Sequence, residues 1–267
     1  MLLLNGDCLD LMKTLPDKSI DLFLCDLPYG CLTNKRGTRD IGWGHEGELK
    51  KIENLPGCEW DVKIDLTQFW VQVKRLMRDD HTPIIHFCNT RFGHELINSN
   101  PDWFRYDLVW EKTNGVGFLS ANKQPLRSHE NIYVFAKKGA TYYRKDIEGD
   151  FKQCYNGRSQ GQKVYGVIAM PDVIPNNEGR RCVKSVIKVS SSKGKGNHPT
   201  QKPDDLYEWL IIRYSKEGDT ILDPTAGSFA SVFTAERLGR KGIGMEKNTD
   251  FFNKANAAAL SNSAGFV

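Results

Sequence analysis

The sequence has no apolar run approaching the roughly 18 residues of a membrane span. Its start, Met1-Leu2-Leu3-Leu4-Asn5-Gly6-Asp7, lacks the length and basic flank of a secretory signal. The seven cysteines are odd in number and form no C-x-x-C pair. That argues against a disulfide framework or a zinc cluster, and for reduced thiols in a cytoplasm, bacterial or phage-infected. His198 has no nearby His or Cys to complete a ligand set, so no metal is expected. There is no internal repeat and no phosphate-cradling G-x-G-x-x-G.

What is present is a chain of 267 residues, long enough for one large α/β domain with an insertion. The net charge of +4 hides a division: residues 123–203 carry 16 Lys and Arg against 6 Asp and Glu, and the rest 21 against 27. A basic segment on an acidic body is an electrostatic footprint for a polyanion; the alternative is a solvated loop region without a partner. Periodicity predicts strands at 1–6, 20–25 and 83–88 and helices at 7–16, 65–78 and 91–98. Alternating runs at 105–111 and 130–136 predict antiparallel strands. The chain closes with helix 204–216, strand 219–223, helix 228–238, strand 241–246 and helix 249–260. Strand–helix alternation at both ends predicts a mostly parallel sheet with helices on both faces. Residues 31–60 lack periodicity and are expected to form a long loop, and 140–200 only short strand-like pieces.

Two strand ends carry candidate chemistry. Strand 20–25 runs into Asp26-Leu27-Pro28-Tyr29, which brings an acceptor, a stiff turn and a flat ring to one place, the parts needed to hold a planar amine. Strand 219–223 runs into Asp223-Pro224-Thr225-Ala226-Gly227-Ser228, a tight turn into a helix, the geometry that receives a nucleoside cofactor. Glu246 follows Gly227 by 19 residues, at the next strand end, where an acid can accept from both ribose hydroxyls. With one glycine in the turn, a cofactor without phosphates, such as S-adenosylmethionine (SAM), fits better than a dinucleotide. His129-Glu130 reads as a strand-edge packing pair rather than an acid–base dyad.

Asp26-Leu27-Pro28-Tyr29, then His198-Pro199-Thr200-Gln201-Lys202-Pro203, then Asp223-Pro224-Thr225-Ala226-Gly227-Ser228 resemble, in that order, the amino-methyltransferases of DNA. The resemblance is to their permuted β group, in which the catalytic half precedes the cofactor half. Trp110-Glu111-Lys112 and Arg127-Ser128-His129-Glu130-Asn131-Ile132-Tyr133-Val134-Phe135 resemble it too. The likeness implies a circularly permuted, Rossmann-like, doubly wound sheet of seven strands. It implies a catalytic half 1–138, a small basic target-recognition insertion 139–197 and a cofactor half 198–267. Asp26, Leu27, Pro28 and Tyr29 become catalytic, with Leu27 standing where proline is commoner. The SAM-binding set becomes Asp7, Cys8, Asp26, Thr200, Lys202, Asp223, Ala226, Gly227, Ser228 and Glu246. Asp7 would meet the adenine amine of the cofactor, although a plain helix N-cap is the simpler role.

The implied partner is double-stranded DNA, with Lys35, Arg36, Arg39, Arg144, Lys145, Arg158, Arg180 and Arg181 as contacts, Lys137, Lys138 and Lys163 assisting. A homodimer and a cognate restriction enzyme are further partners compatible with the family. The implied product is N6-methyladenine. Cytosine N4, an RNA base, or a catalytically silent DNA-binding protein are the alternatives, and an NAD oxidoreductase is the rival from outside the family.

Overall fold

Short apolar runs, each ended by a polar cap or a turn, set the order of elements. The computed structural model describes residues 1–30, 61–118, 121–148, 180–190 and 201–264. β1 (Leu2–Asn5) leads into α1 (Cys8–Thr14), whose first turn is capped by the Asp7 carboxylate accepting from the Leu9 N–H. β2 (Leu22–Cys25) and β3 (Ile84–Cys88) are buried at every position, as parallel strands covered on both faces must be. Between them α2 (Leu66–Leu76) is capped by Asp65, and α3 (Thr90–Ser99) after them by Asn89. β4 (Phe104–Val116) and β5 (Arg127–Phe135) form a hairpin longer than periodicity suggested, with a register shift between Glu111 and Val116. The chain then runs through β6 (Ile147–Glu148), β7 (Arg180–Arg181), β8 (Val186–Lys188), α4 (Asp204–Tyr214), β9 (Thr220–Asp223), α5 (Ala230–Arg237), β10 (Lys241–Glu246) and α6 (Thr249–Ala264).

Among the described residues eight strands form one sheet, in the order β1-β10-β9-β2-β3-β5-β4-β8. The five strands from β1 to β3 are parallel; β5 and β4 run antiparallel to their inner neighbours. The count exceeds the expected seven by β8, a three-residue strand parallel to β4. Its buried Ile187 and the Trp110 indole N–H donating to the Val189 carbonyl seat that edge. β1, the first strand of the chain, lies beside β10, the last, with Asn5 opposite Glu246. That closure is what a permuted chain requires.

The period of two along each strand divides the core. Phe23 and Cys25 pack with Met12, Phe69, Val73 and Phe92 from α1, α2 and α3. Leu22 and Leu24 pack with Leu206, Leu210, Ile211 and Tyr214 of α4 and with Ala235 of α5. Close approach of α5 to β10 depends on Gly244, where a Cβ would lie 2.5 Å from the Phe229 ring. Residues Arg144–Lys184 form a second compact unit, of which the antiparallel pair β6–β7 and the Arg144–Asp146 ion pair are described.

On β3, His86 is fully buried among Phe69, Trp70 and Phe135, at centroid distances of 5.5, 5.6 and 5.6 Å. Neither ring nitrogen has a hydrogen-bond partner, and burial pulls its pKa down to about 3. The unfolded chain therefore takes up a proton that the folded one refuses between about pH 6.5 and 3. His86 lowers stability progressively as pH falls through that window and costs nothing in charge above it. Thermal melts of wild type and His86→Leu between pH 7.5 and 4 should diverge, the wild type losing more, by on the order of 1–3 kcal/mol at the acid end. Parallel loss in both proteins would show that the ring does not resist protonation.

Candidate active site

The C-terminal ends of parallel strands in an open sheet, at the point where strand order reverses, form the crevice in which ligands bind. Here that point lies between β2 and β9, paired through Leu22 with Ile221 and Phe23 with Leu222. From it β3 continues the sheet on one side and β10 and β1 on the other. Asp26 follows β2, Asp223 ends β9, Glu246 ends β10, and Asp7 follows β1. Four acids thus come to one edge from strands far apart in sequence.

On the β9–β10 side, Gly227 adopts a left-handed φ of 54° and directs its N–H to Glu246 Oε2 at 2.9 Å. Glu246 Oε1 accepts from the Asn248 N–H at 2.7 Å, so the backbone fixes both oxygens. Phe229 is also left-handed, at φ 60°, so α5 begins at Ala230, two residues later than expected. Asp223 is buried and accepts from the Ser231 hydroxyl and from the Thr225 N–H at 3.0 Å. Burial pushes its carboxyl up to about 7, those two hydrogen bonds offset part of the shift, and the carboxylates of Asp26 and Glu246 add to it. The Thr225 hydroxyl in the same turn is buried and without a partner. Asp7 caps α1 and also receives Lys247 Nζ at 3.1 Å, with the buried Cys8 next to it.

On the β2 side, Asp26 is held from both oxygens. The Tyr29 hydroxyl donates to Oδ1 at 3.0 Å, and Lys202 Nζ to Oδ2 at 2.6 Å. The Tyr29 ring stacks on Phe92, with centroids 5.2 Å apart and planes 26° apart. Leu27 is 1 % exposed and packs in the core with Phe69 and Phe92, so the side chain replacing the commoner proline serves as core. Lys202 is itself buried, 3.5 Å from Glu130 Oε2 and over the Phe87 ring. Burial pulls its pKa down, but the carboxylates of Asp26 and Glu130 outweigh that and hold the ammonium above the ordinary lysine range. Glu130 Oε1 pairs with Lys112, which also lies 4.8 Å from the Trp110 ring centroid. Against the upward pull of burial, Lys202 and Lys112 hold the Glu130 carboxyl below its usual range.

The structure brings Asp26, Tyr29, Lys202, Asp223, Gly227 and Glu246 to this edge. It adds Glu130 and Lys112, which sequence reasoning missed. The segments containing them were noticed, but Glu130 was read as packing with His129, and nothing local shows which lysine a glutamate meets 72 residues away. Arg127 Nη2 is another buried donor here without a partner. Lys137 and Lys138 pair with Asp80 at 2.9 and 3.2 Å. In the second unit Arg144 forks onto Asp146 at 2.6 and 2.8 Å, and Arg181 lies on β7 with Arg180. Lys35, Arg36, Arg39, Arg158, Lys163 and Thr200 lie outside the described residues, as does the expected loop 31–60. Among the described residues no helix is long and apolar enough to cross a membrane.

Comparison with known proteins agrees with this fold. The chain is 27% identical over 273 residues to the Type II methyltransferase M.HinfI of Haemophilus influenzae, covering 95% of this chain and 66% of that protein. Its fold matches the M1.HpyAVI–SAM complex at a TM-score of 0.60 and 16% identity, covering 97% of this chain and 98% of the other. It also matches the cytosine-N4-specific PvuII DNA methyltransferase at 0.58 and 16% identity, covering 95% and 84%. A family described as DNA methylase matches residues 20–257, nearly the whole chain, and to that family of N6/N4 DNA methylases the protein belongs.

Proposed function

We propose that the protein transfers a methyl group from SAM to the N6 amine of an adenine turned out of double-stranded DNA. The observation that carries this reading is the paired ending of β2 and β9, which sets Asp26 beside the turn Asp223–Ser228. The residues of that turn suit the cofactor. Glu246 offers a carboxylate already oriented by two backbone N–H groups, as a ribose diol requires. The buried, unpartnered Thr225 hydroxyl has hydrogen-bonding capacity to spare for a polar ligand. Asp7 and Cys8 at the end of β1 would face the cofactor's adenine, and Asp223, Ala226, Gly227 and Ser228 its methionine end. A similar solved structure holds SAM.

SAM, when bound, supplies a methyl carbon made electrophilic by its sulfonium. The amine lone pair of the target is delocalised into the base, so the nitrogen is a poor nucleophile. Asp26 accepts a hydrogen bond from the amine, which turns the nitrogen toward tetrahedral geometry and localises the pair. The Leu27 carbonyl supplies a second acceptor, with Pro28 keeping Leu27 extended. The transfer would join the methyl carbon to the nitrogen, leave the C–S bonding pair on sulfur and make the nitrogen cationic. Asp26 then takes the surplus proton and passes it to solvent. Tyr29, backed on one face by Phe92, offers its ring to the extruded base, which offsets the few kcal/mol of unstacking. The Asp-first, Tyr-last form of the quartet favours adenine by family resemblance, while likeness to a cytosine-N4-specific structure keeps N4 as the second reading. Nucleoside mass spectrometry of unmethylated DNA incubated with protein and SAM separates them. N6-methyldeoxyadenosine is expected, N4-methyldeoxycytidine would move the substrate, and neither would overturn the reading.

Replacing Asp26 removes the group that meets the reacting nitrogen. Asp26→Ala should lower the transfer rate by at least about 10²–10³-fold, the usual cost of losing one such group, with SAM affinity by calorimetry changed little. Unchanged turnover would remove Asp26 from the chemistry. We further propose that the basic segment grips phosphates. Arg180→Glu with Arg181→Glu should weaken DNA binding and reduce the slope of log K against log salt by about 2. An unaltered slope would take that pair out of the interface.

A further inference from the structure

Asp26 and Glu130 share one lysine, and the sharing is unequal. Lys202 Nζ is 2.6 Å from Asp26 Oδ2 but 3.5 Å from Glu130 Oε2. That second oxygen is buried and has no hydrogen-bond partner, although its sister oxygen is taken by Lys112. A buried carboxylate oxygen whose ammonium stands at ion-pair rather than hydrogen-bond distance is under-satisfied and calls for an explanation. The arrangement contains one: a shift of about an ångström would bring the ammonium within ordinary hydrogen-bond range of Glu130. Asp26, in turn, is engaged by Tyr29 and Lys202, one donor on each oxygen. A carboxylate with an ammonium pressed on it is a weakened acceptor for a neutral amine, because the cation already draws its charge.

We propose that Lys202 has two seats, on Asp26 in the resting protein and on Glu130 when the target amine occupies Asp26, so that Glu130 is a positioning residue for the transfer. The incoming amine takes the place of the ammonium on Asp26 Oδ2. The ammonium meanwhile stays buried and paired, because Glu130 receives it. Lys112 anchors Glu130, keeping the second seat in place while the first is exchanged. Lys202 thus acts on Asp26 rather than as one of the cofactor-binding residues that the family resemblance implied. The exchange avoids stranding a buried cation, which would be far costlier than either seat.

The inference rests on the reading that Asp26 receives the amine, and two measurements keep the two separable. The first needs no substrate: in the crystal structure of Asp26→Ala, Lys202 Nζ should be found within about 3 Å of Glu130 Oε2, a normal charge-assisted hydrogen bond. A lysine left at its resting distance, or turned to solvent, would overturn the proposal. The second is kinetic. Glu130→Gln keeps the shape of the seat but removes its charge, and should lower the single-turnover methylation rate about tenfold or more, with SAM affinity unchanged and Glu130→Asp recovering part of the rate. A rate within twofold of wild type, or a fall in SAM affinity that accounts for the whole loss, would also overturn it. A wild-type protein that methylates no DNA would sink the functional reading, and the Asp26→Ala structure would still decide whether the lysine has two seats.

Discussion

The site depends on a short piece of parallel pairing between segments about two hundred residues apart in the chain. β2 and β9 meet at Leu22 with Ile221 and Phe23 with Leu222, and no turn joins them. The start of the pair is sealed by Asp21. Its N–H donates to the Thr220 carbonyl at 2.9 Å, and its carboxylate accepts from the Thr220 N–H at 2.9 Å and from Arg78 at 2.8 Å. With that end fixed and both faces buried, register at the other end is fixed as well. A one-residue slip would send Leu22 and Leu24 to the wrong face. Asp26 and Asp223 are therefore neighbours as a consequence of sheet packing, before any ligand is considered.

Assembling acids at one edge works against folding. Among the described residues, Asp26 and Glu130 share the buried Lys202. Burial raises the Asp223 pKa to about 7, and the carboxylates of Asp26 and Glu246 add to the rise. A ligand bearing positive charge would relieve what the protein alone leaves uncompensated, and a sulfonium is such a ligand. The Thr225 hydroxyl, one Glu130 oxygen and one Arg127 nitrogen lack hydrogen bonds at this edge, while the nitrogens of His86 lack them inside an aromatic core. The first group would leave hydrogen-bonding capacity for a ligand; His86 is packing that accepts a pH-dependent cost.

What was legible in the chain follows the same division. The apolar runs at 20–25 and 219–223, ended by Asp-x-Pro and Asp-Pro, announce buried strands that stop at turns; the structure keeps their C-terminal ends and begins them later, at Leu22 and Thr220. Capping by Asp7 is a local hydrogen bond and was expected as such. The pairing of β1 with β10 fits the circular permutation that the family resemblance implied. Lys202 reaching Asp26 across 176 residues has no local signature. The left-handed Phe229 is likewise invisible, since a bulky residue takes that conformation only when packing compels it. β8 is too short to show a period, and it exists because the β4 edge offers unpaired groups and a place for Ile187.

The chemistry on the β2 side also explains why reaction class is easier to read than substrate. Adenine and cytosine present the same kind of group, an exocyclic amine conjugated to a ring. Asp26 and the Leu27 carbonyl would act on either nitrogen in the same way. Tyr29 can stack on either ring, because every base has a π-face. Discrimination must then come from whatever fits the rest of the base: the second ring of a purine, or the carbonyl beside the pyrimidine nitrogen. Those contacts depend on shape and on single polar groups, of which the spare Arg127 nitrogen is one at hand in this edge. In the proposed mechanism the strand-end quartet would therefore account for an amine methylation, and the identity of the base would be a property of the pocket wall around it.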